Sequence, residues 1–72
     1  MIICSWNINS VRTRVELLKV LIKNLKPDII LLQEIKCQNS EFPDVFKSLD
    51  YSTVTNGEKG KYGVAILLKN TI

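Results

Sequence analysis

The feature that most constrains the fold of this 72-residue chain is an apolar run that ends abruptly in polar side chains. The run Ile29–Gln33 is apolar up to its last residue, and Glu34, Ile35 and Lys36 follow it. A short apolar run that begins after turn residues, here Pro and Asp, is typical of a strand buried on both faces of a sheet. Open α/β sheets keep their chemistry just past the carboxyl ends of the strands, which is where Glu34 falls.

An earlier apolar segment, Ile2–Ile8, predicts a first strand that ends near Asn7. The dipeptide Asn9-Ser10 suits a helix N-cap, and the helix that follows is expected to end before Pro27. Apolar residues recur every three or four positions and predict one buried helical face: Val11, Val15, Leu18, Leu21, Ile22 and Leu25. Strand–helix–strand order predicts a parallel pair, which brings the ends of both strands to the same sheet edge.

The second half of the chain predicts a short helix and then a β-hairpin. After a polar loop over residues 37–41, Pro43 suits the first turn of a helix whose apolar side chains face inward: Phe42, Val45, Phe46 and Leu49. Residues 51–55 and 62–68 are rich in strand formers and flank a turn of glycine and charged residues at 56–61. The predicted fold class is α/β, with one sheet face uncovered and the last strand without an assured neighbour.

Composition excludes several classes of protein. The two cysteines, Cys4 and Cys37, and the lack of histidine give no common zinc pattern, and we expect a reducing, cytoplasmic setting. The chain starts without the features of a signal peptide, and no run approaches the ~18 apolar residues of a membrane span, so no membrane association is expected. A net charge of +3 is compatible with a phosphate-rich partner without implying one.

Glu34 is the strongest candidate metal ligand, because Mg²⁺ is commonly held by one or two carboxylates together with water and substrate phosphate. Asn7 could offer an amide oxygen to the same site, although an isolated asparagine here is more simply a turn residue. Lys36 points the same way as Glu34 if the chain stays extended, and could meet the carboxylate or a phosphate. Arg12, expected in the first helical turn, opposes the helix dipole there, which favours an anionic partner.

The predicted hairpin tip offers a further contact for phosphate. Lys59, Lys61 and backbone N–H groups around Gly57 and Gly60 could bind a phosphate, and an ordinary hairpin turn explains them equally well. The sequence contains no serine nucleophile elbow, P-loop or dinucleotide-binding glycine motif. Because histidine is absent, the commonest general base at neutral pH is missing.

Three sequence blocks, in this order and spacing, resemble the exodeoxyribonuclease III-like and apurinic/apyrimidinic (AP) endonucleases: Ser5–Arg12, Pro27–Lys36 and Gly57–Ala65. These enzymes form part of the endonuclease/exonuclease/phosphatase family. The resemblance implies a four-layered α/β sandwich, of which residues 1–72 form the N-terminal part of an incomplete domain. It also implies hydrolysis of DNA phosphodiesters, as a 3′–5′ exonuclease or abasic-site endonuclease, with Mg²⁺ as the cofactor and Mn²⁺ as the alternative.

The same resemblance implies roles for individual residues. Glu34 matches the glutamate that binds the catalytic metal, Asn7 matches an asparagine beside it in the active site, and Asn9 matches a polar position near the metal. Ser10 stands where many relatives have glycine, a change that should not affect the chemistry. The residues expected to contact DNA are Arg12, Lys36, Lys59, Gly60 and Tyr62.

The remaining catalytic residues of the family lie beyond the last residue of this chain: a tyrosine, the aspartate and asparagine that position and activate water, and a terminal aspartate–histidine pair. The isolated chain is therefore expected to lack nuclease activity. Three alternatives stay open: a DNA-binding module that does not cut, a split nuclease completed by a separately encoded C-terminal half, and a remnant without a role. The split enzyme and the remnant are favoured over the binding module.

Overall fold

In the computed structural model, residues 1–71 are described, and they form a mixed four-stranded sheet with two α-helices on one face. The elements are β1 (Ile3–Asn7), α1 (Val15–Leu25), β2 (Ile29–Gln33), α2 (Val45–Ser48), β3 (Tyr51–Asn56) and β4 (Val64–Lys69), with a 3₁₀ turn over Asn39–Glu41. This order confirms the predicted α/β class, the strand–helix–strand unit, the short helix and the hairpin. No helix within residues 1–71 is both long enough and apolar enough to cross a bilayer.

The strand order is β1-β2-β4-β3, so the last strand lies inside the sheet. β1 runs parallel to β2, whereas β4 is antiparallel to β2 on one side and to β3 on the other. The prediction that the last strand has no assured neighbour is therefore wrong. The hairpin turn encodes the β3–β4 pairing locally, but the β2–β4 pairing joins segments far apart in sequence and is selected by burial of both strands on the helical face.

One hydrophobic core lies between the helices and the sheet. Leu18 and Ile22 of α1 and Phe46 of α2 are buried in a single cluster. The strands contribute the following buried side chains to that cluster: Ile30, Leu32, Tyr51, Ala65 and Leu67. The Phe42 ring packs against that of Phe46 at a centroid distance of 5.9 Å, so the inward orientation predicted for the short helix is confirmed at these two residues.

The opposite face of the sheet is open. β2 alternates between fully buried and half-buried residues, so the prediction that both of its faces are buried is wrong for the described chain. A continuous apolar run suits a strand that is covered on both sides, and here the helices cover only one side. The side chains of this open face carry no charge: Ile3, Ser5, Asn7, Ile29, Leu31, Gln33, Ser52, Val54, Asn56, Val64, Ile66 and Leu68.

Helix α1 begins later than its sequence signal predicts. Backbone N–H groups of Ser10 and Val11 donate to carbonyl oxygens of the segment after β2, so this part of the chain remains paired beyond the end of β1. Asn9 and Ser10 have φ values of 48° and 85°, which lie outside the right-handed helical region. The helix starts only at Val15, and Arg12 lies in the preceding turn rather than in the first helical turn.

Helix α1 ends as predicted, at the residues before the proline. Lys26 takes a left-handed conformation with φ of 47° and closes the helix, and Pro27 follows it. The predicted inward face is only partly correct, because Leu18 and Ile22 are buried whereas Leu25 is 51% exposed. A 3.6-residue period places Leu25 on the same side of the helix, but at the last residue of α1 the sheet no longer covers it.

Tyr51 is the buried phenol of the core, and its hydroxyl donates to the carbonyl oxygen of Pro27. Burial raises the pKa of Tyr51, and the nearby charges of Asp28 and Cys4 add to the shift. The folded state therefore favours the neutral phenol, whereas the same group ionises near a pKa of about 10 in the unfolded chain. Its contribution to stability is present below about pH 10 and is lost as the pH rises further.

We predict that the free energy of unfolding falls more steeply above about pH 10 for the natural chain than for Tyr51→Phe. At neutral pH the variant should be less stable by about 1–3 kcal/mol, because the Pro27 carbonyl loses its donor. Urea unfolding between neutral and strongly alkaline pH measures both effects. Tyr62→Phe, at an exposed tyrosine, is the matched control. If the free energy of unfolding falls equally at alkaline pH in the natural chain and in Tyr51→Phe, ionisation of Tyr51 is not the cause of the loss.

Candidate active site at the carboxyl ends of β1 and β2

Parallel pairing of β1 and β2 brings Asn7 and Glu34 together, as the strand–helix–strand order predicts. Asn7 Nδ2 donates a hydrogen bond of 2.9 Å to Glu34 Oε2, although the two residues lie 27 positions apart. Glu34 has a left-handed backbone conformation with φ of 52°, and β2 ends at the residue before it. Non-glycine residues adopt this conformation rarely, and they concentrate at sites where the surrounding structure fixes them.

The contact between Asn7 and Glu34 leaves oxygen atoms for a cation. Within residues 1–71, neither Asn7 Oδ1 nor Glu34 Oε1 accepts a hydrogen bond from the protein, and Glu34 forms no ion pair. Carboxylate and amide oxygens are the hard ligands that Mg²⁺ prefers. The described chain has no cluster of three acidic, histidine or cysteine side chains. These residues fit a metal that keeps several waters and binds substrate phosphate, rather than one enclosed by protein.

Asn9 and Lys36 form a second polar pair at the same edge. Lys36 Nζ donates to Asn9 Oδ1 at 2.5 Å. The extended chain that would align Lys36 with Glu34 is not formed, because both residues have left-handed φ values, 54° and 52°. Lys36 therefore contacts Asn9 rather than the carboxylate, and its charge stays beside the candidate metal site without neutralising Glu34.

Arg12 contacts the loop that follows this edge. One guanidinium nitrogen lies 3.2 Å from a carboxylate oxygen of Glu41, and another donates to the carbonyl oxygen of Lys36 at 3.2 Å. Both charged side chains are nearly half exposed, so the ion pair contributes at most about 1 kcal/mol. Glu41, at the end of the predicted polar loop, also accepts from the backbone N–H of Gln38. Glutamate is the usual last residue of a capping box, but glutamine is not a usual first residue, so the spacing of Gln38 and Glu41 does not by itself predict this contact.

Cys37 follows Lys36 and is fully buried, near the charges of Arg12 and Glu41. Burial raises the pKa of the Cys37 thiol; the charge of Arg12 lowers it, and that of Glu41 raises it. A thiol with a raised pKa stays protonated at neutral pH and is a poor nucleophile. Cys37 therefore packs as a small apolar residue, and the chemistry of this edge is that of oxygen and nitrogen groups.

The chain before β4 is attached to the same edge through its backbone. The N–H groups of Ile35 and Lys36 donate to the carbonyl oxygens of Gly63 and Tyr62 at 3.1 and 2.8 Å. The Tyr62 backbone thus lies next to Lys36, while its ring is 63% exposed. The predicted strand over residues 62–68 therefore begins two residues later, at Val64, because Tyr62 and Gly63 pair with the segment beyond β2.

The hairpin tip is exposed at Lys59 and Gly60 and anchored only at its base. The Gly57 N–H donates to Asn39 Oδ1 at 2.7 Å, which ties the tip to the 3₁₀ turn. The sequence predicts only a polar loop at Asn39, because no periodic signal reports a contact between two loops. Hydrogen bonds to the Lys36 backbone thus bring Arg12 and Tyr62 to this edge, whereas Lys59 and Gly60 lie in the exposed turn between β3 and β4.

We predict that Gly57→Ala detaches this tip. A Cβ at Gly57 would overlap the carbonyl oxygen of Cys37 and lie 3.0 Å from the backbone nitrogen of Asn39, and backbone atoms cannot easily move away. Such overpacking costs about 1–3 kcal/mol. Amide chemical shifts of residues 37–41 and 57–62, together with urea unfolding, measure the effect.

The matched control is Gly60→Ala. Gly60 also has a positive φ, 74°, but nothing lies within 4 Å of an added Cβ. Its cost should be limited to conformational strain of about 1 kcal/mol, without shift changes in residues 37–41. Shift changes in that loop as large as those of Gly57→Ala would show that backbone strain, rather than the contact with the loop, governs the tip.

Comparison with known proteins places the chain in a family. The family model described as "Endonuclease/Exonuclease/phosphatase family" matches residues 4–72. The chain belongs to this family. Exodeoxyribonuclease III of Haemophilus influenzae is 44% identical over 66 residues, which cover 90% of this chain and 25% of that protein.

Solved structures of the family share the fold. An AP endonuclease from Archaeoglobus fulgidus superposes with a TM-score of 0.89 at 40% identity, covering 94% of this chain and 27% of that one. The 3′ phosphatase NExo from Neisseria, bound to a product DNA hairpin, gives a TM-score of 0.88 at 34% identity, covering 93% and 26%. The chain thus spans about a quarter of the length of these relatives, and it matches the N-terminal part of the AP endonuclease fold.

Proposed function

We propose that this chain is the N-terminal part of a DNA-repair nuclease of the exodeoxyribonuclease III type, which hydrolyses DNA phosphodiesters as a 3′–5′ exonuclease or abasic-site endonuclease. The observation that carries the proposal is the hydrogen bond between Asn7 and Glu34 at the strand ends, in a chain whose family match covers residues 4–72. The Neisseria relative bound to a product DNA hairpin supports DNA as the substrate class.

In this proposal Glu34 holds a divalent metal, with Mg²⁺ as the expected ion and Mn²⁺ as the alternative. When bound, the metal supplies Lewis-acid stabilisation of charge on the phosphate. Asn7 is a positioning residue, because its amino group fixes one carboxylate oxygen of Glu34 and leaves the other free. Its own Oδ1 is available to the metal or to water around it, and Asn9 is held nearby by Lys36.

The proposed DNA path runs along the same edge toward the hairpin tip. Lys36 forms no ion pair within residues 1–71, so its charge is available to a phosphate. Arg12 is partly neutralised by Glu41 and would contribute less. Backbone phosphates are the usual partners of such lysine, tyrosine and glycine contacts, which position DNA without reading its sequence. The tip residues of this path are Lys59, Gly60 and Tyr62.

We further propose that the isolated chain does not cleave DNA. Hydrolysis needs a group that activates water, whereas the sequence has no histidine and residues 1–71 contain no cluster of three acidic or cysteine side chains. The Glu41 carboxylate is engaged by Arg12 and by the Gln38 backbone. Residues outside this chain would supply the base.

A split nuclease, completed by a separately encoded C-terminal half, is the second candidate. The open sheet face favours it, because twelve uncharged outward positions are unusual on a surface exposed to water. A second sheet packing about 10 Å away would cover this face and give the expected four-layered sandwich. A DNA-binding module that does not cut would instead bind duplex DNA with a steep salt dependence and leave it intact.

A chimera tests the proposal. The matched 66-residue segment of the Haemophilus influenzae enzyme is replaced by this chain, and cleavage of abasic-site and blunt-ended duplexes is followed with and without Mg²⁺. We expect metal-dependent cleavage by the chimera and only background cleavage by the isolated chain. A chimera that unfolds cooperatively yet leaves both substrates intact would contradict the proposed activity. Cleavage by the isolated chain would contradict the proposed need for further residues.

A further inference from the structure

A groove lies on the helical layer, at the sheet edge opposite to Glu34. It runs between α1 and the turn from α2 to β3, with a volume of about 610 Å³. Lys26 closes α1 just before β2 begins. Lys69 is the last residue of β4, and because β4 runs antiparallel to β2, its end lies beside the start of β2. Both lysines therefore lie at the edge opposite to Glu34. Five strand residues at about 3.3 Å each separate the groove from Glu34 by about 17 Å. The groove is therefore distinct from the candidate nuclease site.

The floor of this groove is apolar. It includes Ile22 on α1 and Leu49 and Tyr51 on the other side, whereas Val20 lines the groove from a different side of the helix. Val20 is 54% exposed, whereas Tyr51 and Ile22 are buried at the base. A concave apolar floor of this kind selects a ligand with an apolar body and is poorly matched to a hydrated phosphate backbone.

The rim of the groove is basic. Four lysines line it, against the two carboxylates of Glu16 and Asp50: Lys19, Lys23, Lys26 and Lys69. Lys19 pairs with Glu16 at 3.5 Å, whereas the other three lysines form no ion pair within residues 1–71. The helix dipole explains lysines in the last turn of α1. It does not explain Lys69, which lies on a strand across the groove, opposite Tyr51 in the β3–β4 register.

Three of the lysines form a row that begins on α1 and ends at its C-terminal cap. Lys19 and Lys23 are four residues apart and share one side of the helix, and Lys26 follows three residues later, where it closes α1 in a left-handed conformation and still lines the groove. A small ligand with one anionic group would use one of them. An α-helix that carries acidic residues at the same spacing would meet all three while its apolar residues fill the floor.

We propose that this groove binds an acidic amphipathic helix of a partner protein. Carboxylates at three- and four-residue spacing contact the lysine row and Lys69, and neighbouring leucine or aromatic side chains contact Val20 and Leu49. The site is independent of the proposed nuclease activity. Removing Glu34 leaves it intact.

A synthetic peptide tests the proposal on the full chain. The probe is a helical peptide of about 15 residues with Glu on one flank and Leu beside it, and its twin carries Gln in place of Glu. We expect amide shift changes in α1 and around Leu49 and Tyr51 in ¹⁵N-labelled protein, salt-dependent affinity, and binding at least about tenfold weaker for the Gln twin. Dodecanoate and anionic phospholipid vesicles are tested in parallel.

Matched variants locate the binding. Lys23→Glu with Lys26→Glu should weaken the peptide about tenfold or more, whereas Lys47→Glu with Lys61→Glu makes the same charge change outside the groove and should have little effect. Val20→Ser should also weaken binding, and the NMR spectrum of each variant reports whether it is folded. Shift changes confined to other surfaces, equal losses in both double variants, or saturation by dodecanoate or vesicles but not by the peptide would overturn the proposal.

Discussion

Glu34→Gln is expected to lower the Mg²⁺-dependent cleavage rate of the chimera by about 100- to 1,000-fold, the usual cost of losing one charge-stabilising group at a reacting centre. Glutamine keeps the shape of the side chain and can still accept a hydrogen bond from Asn7, but it removes the negative charge that would hold the metal. The rate and the Mg²⁺ concentration needed for half-maximal activity are measured on the same abasic-site duplex.

Asp44→Asn provides the matched control for this loss. It makes the same chemical change at an exposed carboxylate just before α2, where the side chain forms only a long ion pair with Lys47 at 3.7 Å. Its rate should stay within about twofold, since surface changes of this kind rarely exceed about 0.5 kcal/mol. A tenfold change in rate corresponds to about 1.4 kcal/mol of activation free energy. If Glu34→Gln lowers the cleavage rate by less than about fivefold, Glu34 is not a ligand of the metal.

Phe46→Ala is expected to remove a large share of the stability of the isolated chain. Phe46 is fully buried at the junction of α2 with the sheet, and deleting such a side chain costs about 3–5 kcal/mol. A 72-residue domain has a total stability of about 4–11 kcal/mol at typical values per residue. Urea unfolding followed by circular dichroism measures the loss, and the dispersion of amide signals shows whether a folded population persists.

The control for the core variant is Val54→Ala, which removes apolar atoms from the open face. Val54 is 58% exposed and lies at the centre of β3, so its truncation should cost less than about 1 kcal/mol in the isolated chain. Equal costs for Phe46→Ala and Val54→Ala would mean that the core is not where the structure places it, or that a partner covers the open face in solution.

Local patterns predicted most of the elements. The run Ile29–Gln33 is strand β2 with the predicted bounds, and Pro27 stops α1 as expected. The predicted start of α1 was wrong. Asn9 and Ser10 are good capping residues by themselves, but here this segment is held by backbone hydrogen bonds to the segment after β2. The position of β4 in the sheet was not predicted for a related reason, since pairing between distant strands leaves no periodic pattern in the sequence of either strand.

Contacts in the candidate site were predictable from the sequence where strand topology determines them. Contacts between loops were not predictable. Parallel crossover alone brings Asn7 to Glu34. The positions of Lys36 and of Glu41 depended on left-handed residues and on a contact with Arg12, which no spacing rule encodes. The metal and DNA-contact roles of these residues stay predictions for the chimera to test.

The position of β4 between β2 and β3 also sets the order in which the molecule can assemble on the ribosome. β3 pairs with β4 and not with β2, so no strand hydrogen bonds can join β3 to the first two strands until β4 has been made. The nascent chain must therefore keep β2 unpaired on that side until the last strand emerges. A ribosome stalled earlier would present an open β-edge to chaperones or to other chains.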